Sequence, residues 1–298
     1  MFQKTALLLL FVLLHPSDIL AQDMRNRTEE MYRFGRVIIA TEPLPDKVYE
    51  AQKRKFVISV IFSEKGTNNE IISGIGTGFT TDQPGVIITA RHLLSETIRD
   101  MDVLKAERIK TNPGFDYTYT FKGTIITRDS WIDFPLTLAA AGEAGTLKDM
   151  MALKVGIRTI EQALISGDIK SPNPLGILMR TFEFADASLG EKVFISGYAP
   201  ILTQLPDKNN NITSIYVDLI NFTFPAEITA KIEGMPVNKN GISLMYRMRD
   251  GAEPGYSGGL VMNAKGQVVG IISAMSKNFV YAISSKDIKN FLKDNELR

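Results

Sequence analysis

Residues 87–93 read IITARHL, a β-branched run that ends directly before a histidine. A short run of this kind is typical of a buried strand, so it places His92 at a strand end. Far downstream, residues 255–259 read GYSGG and lead into another β-like run. A histidine at a strand end and a serine between glycines are the two halves of a nucleophilic hydrolase, and their order along the chain indicates which kind.

The chemistry of a serine nucleophile explains why these residues matter. A serine hydroxyl is a weak nucleophile until a base takes its proton. Histidine suits this task because its usual pKa of about 6.5 leaves it neutral but basic at pH 7. The sequence therefore predicts Ser257 as nucleophile and His92 as base. The second histidine, His15, lies in a segment that we expect to be removed.

The third member of such a site is a carboxylate, which fixes the histidine tautomer and stabilises the imidazolium. We assign this role to Asp149, which leads directly into the apolar run at residues 150–153. Asp133 and Asp116 also lie between the histidine and the serine, and they are the alternative candidates.

The glycines around the serine serve the same chemistry. Backbone N–H groups must meet the oxyanion, and we assign them to Gly255 and Ser257. The same residues match the Gly-x-Ser-x-Gly elbow of α/β-hydrolases. That fold needs a histidine after the serine and a helix behind it, whereas no histidine follows Ser257 and residues 260–262 read as a strand. The elbow interpretation therefore fails.

The rest of the chain predicts an all-β protein. Short runs rich in β-branched and aromatic residues alternate with turn residues, which indicates a sandwich or barrel. Long helical periods between the strands are missing, which argues against a parallel α/β sheet. The predicted strands are residues 56–62, 74–80, 86–89, 119–127, 150–155, 192–197, 214–220, 243–248, 267–273 and 279–283.

One helix is predicted at the end of the chain, at residues 285–295, with Ser284 or Ser285 as its cap. Its apolar stripe comprises Ile288, Phe291 and Leu292.

Composition excludes several kinds of site. The chain has 298 residues, 44% of them hydrophobic and 22% charged, which is ordinary for a globular protein. A net charge of +1 predicts no nucleic-acid partner. With no cysteine and one histidine outside the first 21 residues, we expect no thiol nucleophile, no metal and no cofactor.

The N-terminus predicts export. Lys4 precedes an apolar run at residues 6–14, and Ala21 offers a cleavage site, so residues 1–21 are predicted to be a signal peptide. A membrane anchor is the alternative, but a bilayer span needs about 20 apolar residues. We therefore expect a secreted or periplasmic protein without a stable membrane anchor. Residues 22–52 are predicted to form an N-terminal arm, and residues 53–298 the main domain.

The chain resembles the chymotrypsin-fold (trypsin-like) serine proteases, in particular the bacterial HtrA/Deg-like branch. The resemblance implies two six-stranded antiparallel β-barrels, about residues 53–165 and 166–298, with the site between them. It implies that His92 and Asp149 come from the first barrel and Ser257 from the second. The matching stretches are residues 76–79, 88–93, 149–155, 189–198, 253–261, 266–271 and 281–284.

The chain departs from the family at several positions. Arg91 replaces a small residue beside the histidine, Tyr256 replaces the usual Asn or Asp before the serine, and Leu260 stands where proline is common. We also expect no PDZ domain.

Two functions follow from the match and the departures. The first is an exported serine endopeptidase that hydrolyses protein or peptide substrates through an acyl-enzyme. The alternative is a catalytically silent peptide-binding protein on the same fold, with its cleft blocked by Arg91 or Tyr256. The oligomeric state is not predicted.

The most detailed predictions concern substrate preference and activation. We expect Gly270, Ile271, Ile272 and Ser273, with the loop at residues 251–254, to wall the pocket for the residue before the scissile bond. Small apolar groups there favour an aliphatic residue, unless the loop residue Glu253 points inward and selects Arg or Lys.

Digestive relatives switch on when a new N-terminal ammonium pairs with an Asp before the serine. Tyr256 is uncharged at neutral pH, so we predict no zymogen cleavage.

Overall fold

The described part of the chain includes both predicted β regions. The structure is a computed structural model. It describes residues 38–40, 42–67, 70–126, 131–143, 146, 148–156, 176, 178, 180–206, 212–233, 244–249, 256–276 and 279–297.

The first β region closes into a barrel of six strands in the order β2-β3-β4-β7-β6-β5. All six pairings are antiparallel. β2 is buried over most of its length, and β4 throughout, because one face lines the barrel and the other meets neighbouring elements. The strands are β2 (Lys55–Glu64), β3 (Glu70–Thr80), β4 (Val86–Thr89), β5 (Tyr117–Ile126), β6 (Trp131–Ala141) and β7 (Met151–Val155).

The second β region is a seven-stranded sheet that curls back on itself. Its order is β1-β9-β10-β13-β12-β11-β8, and β8 also pairs with β9 along a long hairpin. The first strand, β1, adds parallel to β9. The predicted all-β architecture with a C-terminal helix is confirmed. The strands are β1 (Ile38–Ala40), β8 (Lys192–Pro206), β9 (Ile212–Glu233), β10 (Leu244–Arg249), β11 (Leu260–Met262), β12 (Val268–Ser276) and β13 (Phe279–Ser284).

The C-terminal helix forms where the sequence predicts it. The helices are α1 (Asp46–Gln52), α2 (His92–Arg108) and α3 (Ser285–Asp294). Ser284 is the cap of α3, because its Oγ accepts the Asp287 N–H at 3.2 Å and donates to that carboxylate at 2.7 Å. The hydroxyl of Ser285, the other candidate cap, donates to the Ala185 carbonyl at 2.7 Å. Among the described residues, none of the helices has the length and apolar character needed to cross a membrane.

Helix α2 was not predicted, although a signal for it exists. Its buried residues include Leu93, Thr97, Met101 and Leu104, which are three or four positions apart and define one helical face. That stripe is narrow and carries a threonine, so it is weaker than the stripe of α3. The strand β6 was also missed, because Pro135 lies within it and proline is rare inside a sheet.

Among the described residues, hydrophobic clusters fill each β region and also join the two regions. One fills the first barrel, and another lies inside the second sheet. A third joins residues of both regions, such as Phe79 and Phe194, to Ile288 and Leu292 of α3. The two regions therefore share a hydrophobic core.

A buried lysine joins the two regions at another point. Lys55 Nζ lies 2.7 Å from both Ser196 Oγ and Asn221 Oδ1 and 3.1 Å from Gln52 Oε1, within hydrogen-bond distance of all three. Lys55 is 1% exposed. Burial lowers the pKa of Lys55 well below its usual 10.5.

Candidate active site

His92 is the first residue of α2, immediately after the short link from strand β4. The strand ends at Thr89, so the sequence expectation of a histidine at a strand end holds for its position along the chain. The first N–H groups of a helix have no partner within the helix. Here the His92 N–H donates to Asp149 Oδ1 at 2.7 Å.

Asp149 reaches the histidine from the segment that leads into β7. It is 2% exposed, and its carboxylate faces His92. The Asp149 carbonyl also accepts the Arg91 N–H at 3.4 Å, so backbone and side chain both bind the start of α2. This double attachment fixes the carboxylate relative to the imidazole.

Ser257 lies in a tight turn just before β11. The next residue, Gly258, has φ +80°, a conformation that only glycine adopts without strain. A Cβ at Gly258 would lie 2.0 Å from the Thr77 carbonyl oxygen, so no larger residue fits. The Thr77 N–H in turn donates to the Ser257 carbonyl at 3.0 Å. The first barrel therefore holds the serine turn of the second region.

The three side chains meet in one hydrogen-bonded line. His92 Nδ1 lies 2.6 Å from Asp149 Oδ2, and His92 Nε2 lies 2.6 Å from Ser257 Oγ. An ionised carboxylate only accepts, so the proton is on Nδ1 and Nε2 is free to accept from the serine hydroxyl. This arrangement has the geometry of a nucleophile, a base and an orienting carboxylate.

The surroundings of His92 change the pKa of its imidazole. Burial opposes the charged imidazolium, but the hydrogen bond to Asp149 and the charges of Asp149 and Glu96 outweigh burial. Together they raise the pKa of His92 above its usual 6.5. A base with a raised pKa accepts a proton more readily.

Ser273 has a contact that the sequence did not suggest. Its hydroxyl donates to Asp149 Oδ2 at 2.8 Å, so the carboxylate accepts three hydrogen bonds in all. The contact helps to orient the Asp149 carboxylate, and no sequence motif marks it. That Ser273 also lines a substrate pocket stays a prediction.

The two alternative carboxylates are engaged elsewhere. Asp133 accepts from Lys122 at 2.9 Å and from Thr124 at 2.6 Å. The carboxylate of Asp116 pairs with lysines, one of them Lys105 at 2.8 Å. Asp149 is therefore the carboxylate that the fold brings to the histidine.

The other predicted residues of the substrate pocket lie mostly in the core. Gly270 pairs with both Val261 and Ser284 within the sheet. The side chains of Ile271 and Ile272 are 0% and 1% exposed, and they fill two different hydrophobic clusters. Substrate binding by these residues stays a prediction. The loop at residues 251–254 and Gly255, predicted for the pocket wall and the oxyanion hole, lie outside the described residues.

Arg91 and Tyr256, which depart from the family pattern beside the site, have different surroundings. Tyr256 is 8% exposed and belongs to the cluster inside the second sheet. Its ring therefore packs inward. Arg91 is half-buried, and within the described part of the chain its Nε and Nη1 have no hydrogen-bond partner.

Comparisons with known proteins identify the family and the fold of the chain. The sequence matches the family model of the Trypsin-like peptidase domain over residues 76–271, which is more than half of the chain. No curated protein matches by sequence.

A solved structure of an HtrA-type protease supports the fold. The structure of the HtrA-type protease AlgW with a decapeptide aligns with a TM-score of 0.50 and 13% identity, covering 84% of this chain and 66% of that one. An inactive form of Rv3671c from M. tuberculosis H37Rv aligns with a TM-score of 0.46 and 16% identity, covering 87% and 97%. With a family match of this extent, the chain belongs to the trypsin-like peptidase family and is, by class, a serine endopeptidase.

Proposed function

We propose that the chain is an exported serine endopeptidase in which Ser257 is the nucleophile, His92 the general base and Asp149 the orienting carboxylate. The observation that carries the proposal is the continuous line from Asp149 Oδ2 through His92 to Ser257 Oγ, with both hydrogen bonds at 2.6 Å. The two alternative carboxylates bind lysines instead.

The geometry supports a two-step acyl transfer. Ser257 Oγ attacks the scissile carbonyl carbon while His92 Nε2 takes the hydroxyl proton. The Asp149 carboxylate stabilises the imidazolium that results. The tetrahedral intermediate collapses, the C–N bond breaks, and the imidazolium gives its proton to the leaving amine. Water then attacks the ester carbonyl, His92 takes a proton from that water and returns it to Ser257, and the acid product leaves.

The substrate class follows from the family and from one neighbour. The AlgW structure contains a decapeptide, which supports peptides as the substrates of this chain. On β12, Ala274 is the first exposed residue after the buried Ser273. An extended peptide that reaches Ser257 would run beside this end of the strand. A small side chain there is compatible with the aliphatic preference expected from the sequence.

Export is the part of the proposal that rests on sequence alone. Lys4, the apolar run at residues 6–14 and Ala21 support a removable signal. Mass spectrometry of the protein from cell fractions would test it. A mature chain that begins at Gln22 outside the cytoplasm is expected, and an intact Met1 in the cytoplasm would contradict export.

Activity-based labelling tests the catalytic assignment. A fluorophosphonate should form a covalent adduct on Ser257 of the wild-type protein. Ser257→Ala should lose both labelling and peptide cleavage, and His92→Ala should lose nearly all of both, with effects of up to about 10⁶ in kcat. The control is Ser95→Ala on α2.

The silent peptide-binding protein is the other outcome of this experiment. A wild-type protein that binds a library peptide but neither labels nor cleaves it would establish that alternative. The inward packing of Tyr256 removes one of the two reasons to expect a blocked cleft.

A further inference from the structure

The residue before the proposed nucleophile belongs to a stack of aromatic rings. The Tyr256 ring centroid lies 3.8 Å from that of Phe222, with 31° between the planes. Phe224 lies 5.8 Å from Tyr256 and 5.5 Å from Phe222. We call Tyr256, Phe222 and Phe224 the aromatic clamp.

Strand β8 packs closely against the aromatic clamp. Gly197 is paired with Phe222, and a Cβ at Gly197 would lie 2.9 Å from Phe222 Cζ. The ring therefore occupies the space that a side chain would need at position 197. Phe222 and Phe224 are both buried, so neither ring moves without breaking core contacts.

The backbone of the same strand segment is fixed by other elements. β1 pairs in parallel with Asn221, Phe222 and Thr223. Asn221 Oδ1 accepts from the buried Lys55 at 2.7 Å, and Ser196 Oγ lies 2.8 Å from Thr223 Oγ1. These contacts bind the clamp's strand to β1, to the first barrel and to β8.

The clamp connects directly to the serine turn. Tyr256 precedes Ser257, and the Tyr256 carbonyl accepts the Gly259 N–H at 2.8 Å, closing the turn around the serine. A shift of the Tyr256 ring would rotate this peptide and move Ser257 Oγ relative to His92 Nε2. In enzymes, a misplacement of about 1 Å costs roughly 10²-fold in rate.

We propose that Tyr256 is a positioning residue whose ring, gripped by Phe222 and Phe224, fixes the turn that carries Ser257, and that the pairing of β1 with β9 holds this clamp in place. The inference rests on the proposed function, because it assigns Tyr256 a role relative to the nucleophile. In this role, the aromatic contacts of Tyr256 stand in for the ionic contact that the Asp before the serine makes in the digestive relatives.

Two substitutions at Tyr256 test the first half. Tyr256→Leu removes the stacked ring and should lower kcat and the rate constant of fluorophosphonate labelling about tenfold or more, with KM within about threefold. Tyr256→Phe keeps the ring and should restore most of the activity. The pH midpoint should stay at the wild-type value in both variants, because His92 and Asp149 are unchanged.

A matched control separates positioning from lost stability. Phe134→Leu removes a ring that is 2% exposed in the core of the first barrel. All variants are measured about 20 °C below their own Tm. Phe134→Leu should lower Tm without lowering the labelling rate constant.

A backbone substitution tests the second half. Ile39 is paired with Phe222 in the β1–β9 register, and Ile39→Pro removes an N–H and disturbs that pairing. Ile39→Pro should lower kcat in the same direction as Tyr256→Leu, whereas Ile39→Val should have no effect. The double variant with Ile39→Pro and Tyr256→Leu should show a smaller fold-loss of kcat than the product of the two single fold-losses, because both substitutions act through the aromatic clamp.

The outcomes distinguish the two proposals. A wild-type protein that neither labels nor cleaves overturns the proposed function, and this inference with it. An active wild type whose Tyr256→Leu variant keeps kcat within twofold overturns the positioning role alone. Normal kcat in Ile39→Pro, with an impaired Tyr256→Leu, overturns only the part assigned to β1.

Discussion

Asp149 accepts three hydrogen bonds while it is 2% exposed, so its charge is satisfied within the protein. A buried carboxylate without such partners would be costly. Two of the three donors belong to His92, one from the backbone and one from the ring. The same carboxylate therefore binds the start of α2 and orients the imidazole.

A replacement of Asp149 that keeps its size should show whether the carboxylate is needed to orient His92. Asp149→Asn keeps the size but presents an amide to Nδ1, which favours the wrong tautomer, and should lower kcat by about 10⁴. Asp133→Asn is the matched control on β6 and should keep wild-type kcat. Steady-state kinetics on one peptide measures both. Equal losses in the two variants would contradict the assignment of Asp149.

The pH dependence of activity should reflect the raised pKa of His92. The reaction needs neutral His92, so kcat/KM should rise with pH through a midpoint above 6.5. Glu96 is exposed one turn further along α2, and its charge contributes to the raised pKa. Glu96→Gln should therefore move the midpoint downward, more at low salt, and leave the plateau unchanged. An upward shift would contradict this electrostatic account.

Gly258 should tolerate no side chain. Gly258→Ala combines a φ of +80° with a clash against Thr77, so it should lower stability by more than about 1 kcal/mol and abolish labelling. Gly190 is the control, since its φ is +79° and a Cβ there meets nothing within 4 Å. Gly190→Ala should show the backbone cost alone. Equal Tm losses would mean that the clash is relieved.

At the scale of elements, the sequence predicted the strands that are rich in β-branched and aromatic residues and the helix that has a serine cap. It did not predict α2, because its apolar stripe is narrow and His92 at its start was interpreted only as a catalytic group. Nor did the sequence predict β6, because Pro135 lies within it and proline is rare inside a sheet. The role of Ser273 depends on a contact across 124 positions of the chain, which no local pattern encodes.

The contact of α1, β2, β8 and β9 around Lys55 should make stability depend on pH. The pKa of Lys55 is lowered by burial, so as the pH falls below about 10.5 the unfolded chain binds the proton before the folded one does. Stability from this group is therefore present above about pH 10.5 and is lost as the pH falls toward the folded-state pKa.

Thermal melts of Lys55→Met test this dependence. The Tm of the wild type minus that of Lys55→Met should increase from pH 7 to pH 10. Lys265→Met, at an exposed lysine, is the control and should show a constant difference. A Lys55→Met difference that grows toward low pH would show that the ammonium stabilises the fold.

At the scale of the whole molecule, the second β region carries the proposed nucleophile, and the residue directly before it is the uncharged Tyr256. An N-terminal ammonium inserted beside Tyr256 would meet its ring and the rings of Phe222 and Phe224, which offer no ionic partner, at a cost of several kcal/mol. The chain from Gln22, produced behind an uncleavable N-terminal tag, should therefore turn over peptide at the wild-type rate. The control is the same protein with its tag removed. A tagged protein that becomes active only after cleavage near residues 45–56 would show zymogen activation.

The distance along the chain between His92 and Ser257 has a consequence for synthesis. The two are 165 positions apart, and the serine turn is held by β12 through the Gly258–Ile272 hydrogen bond of 2.9 Å. Domains fold from the N-terminus as the ribosome releases them. A nascent chain that has completed only its first barrel holds the proposed base and carboxylate but lacks the proposed nucleophile. If the proposed function holds, translation intermediates should be unable to cleave peptides until Ser257 and β12 have left the ribosome.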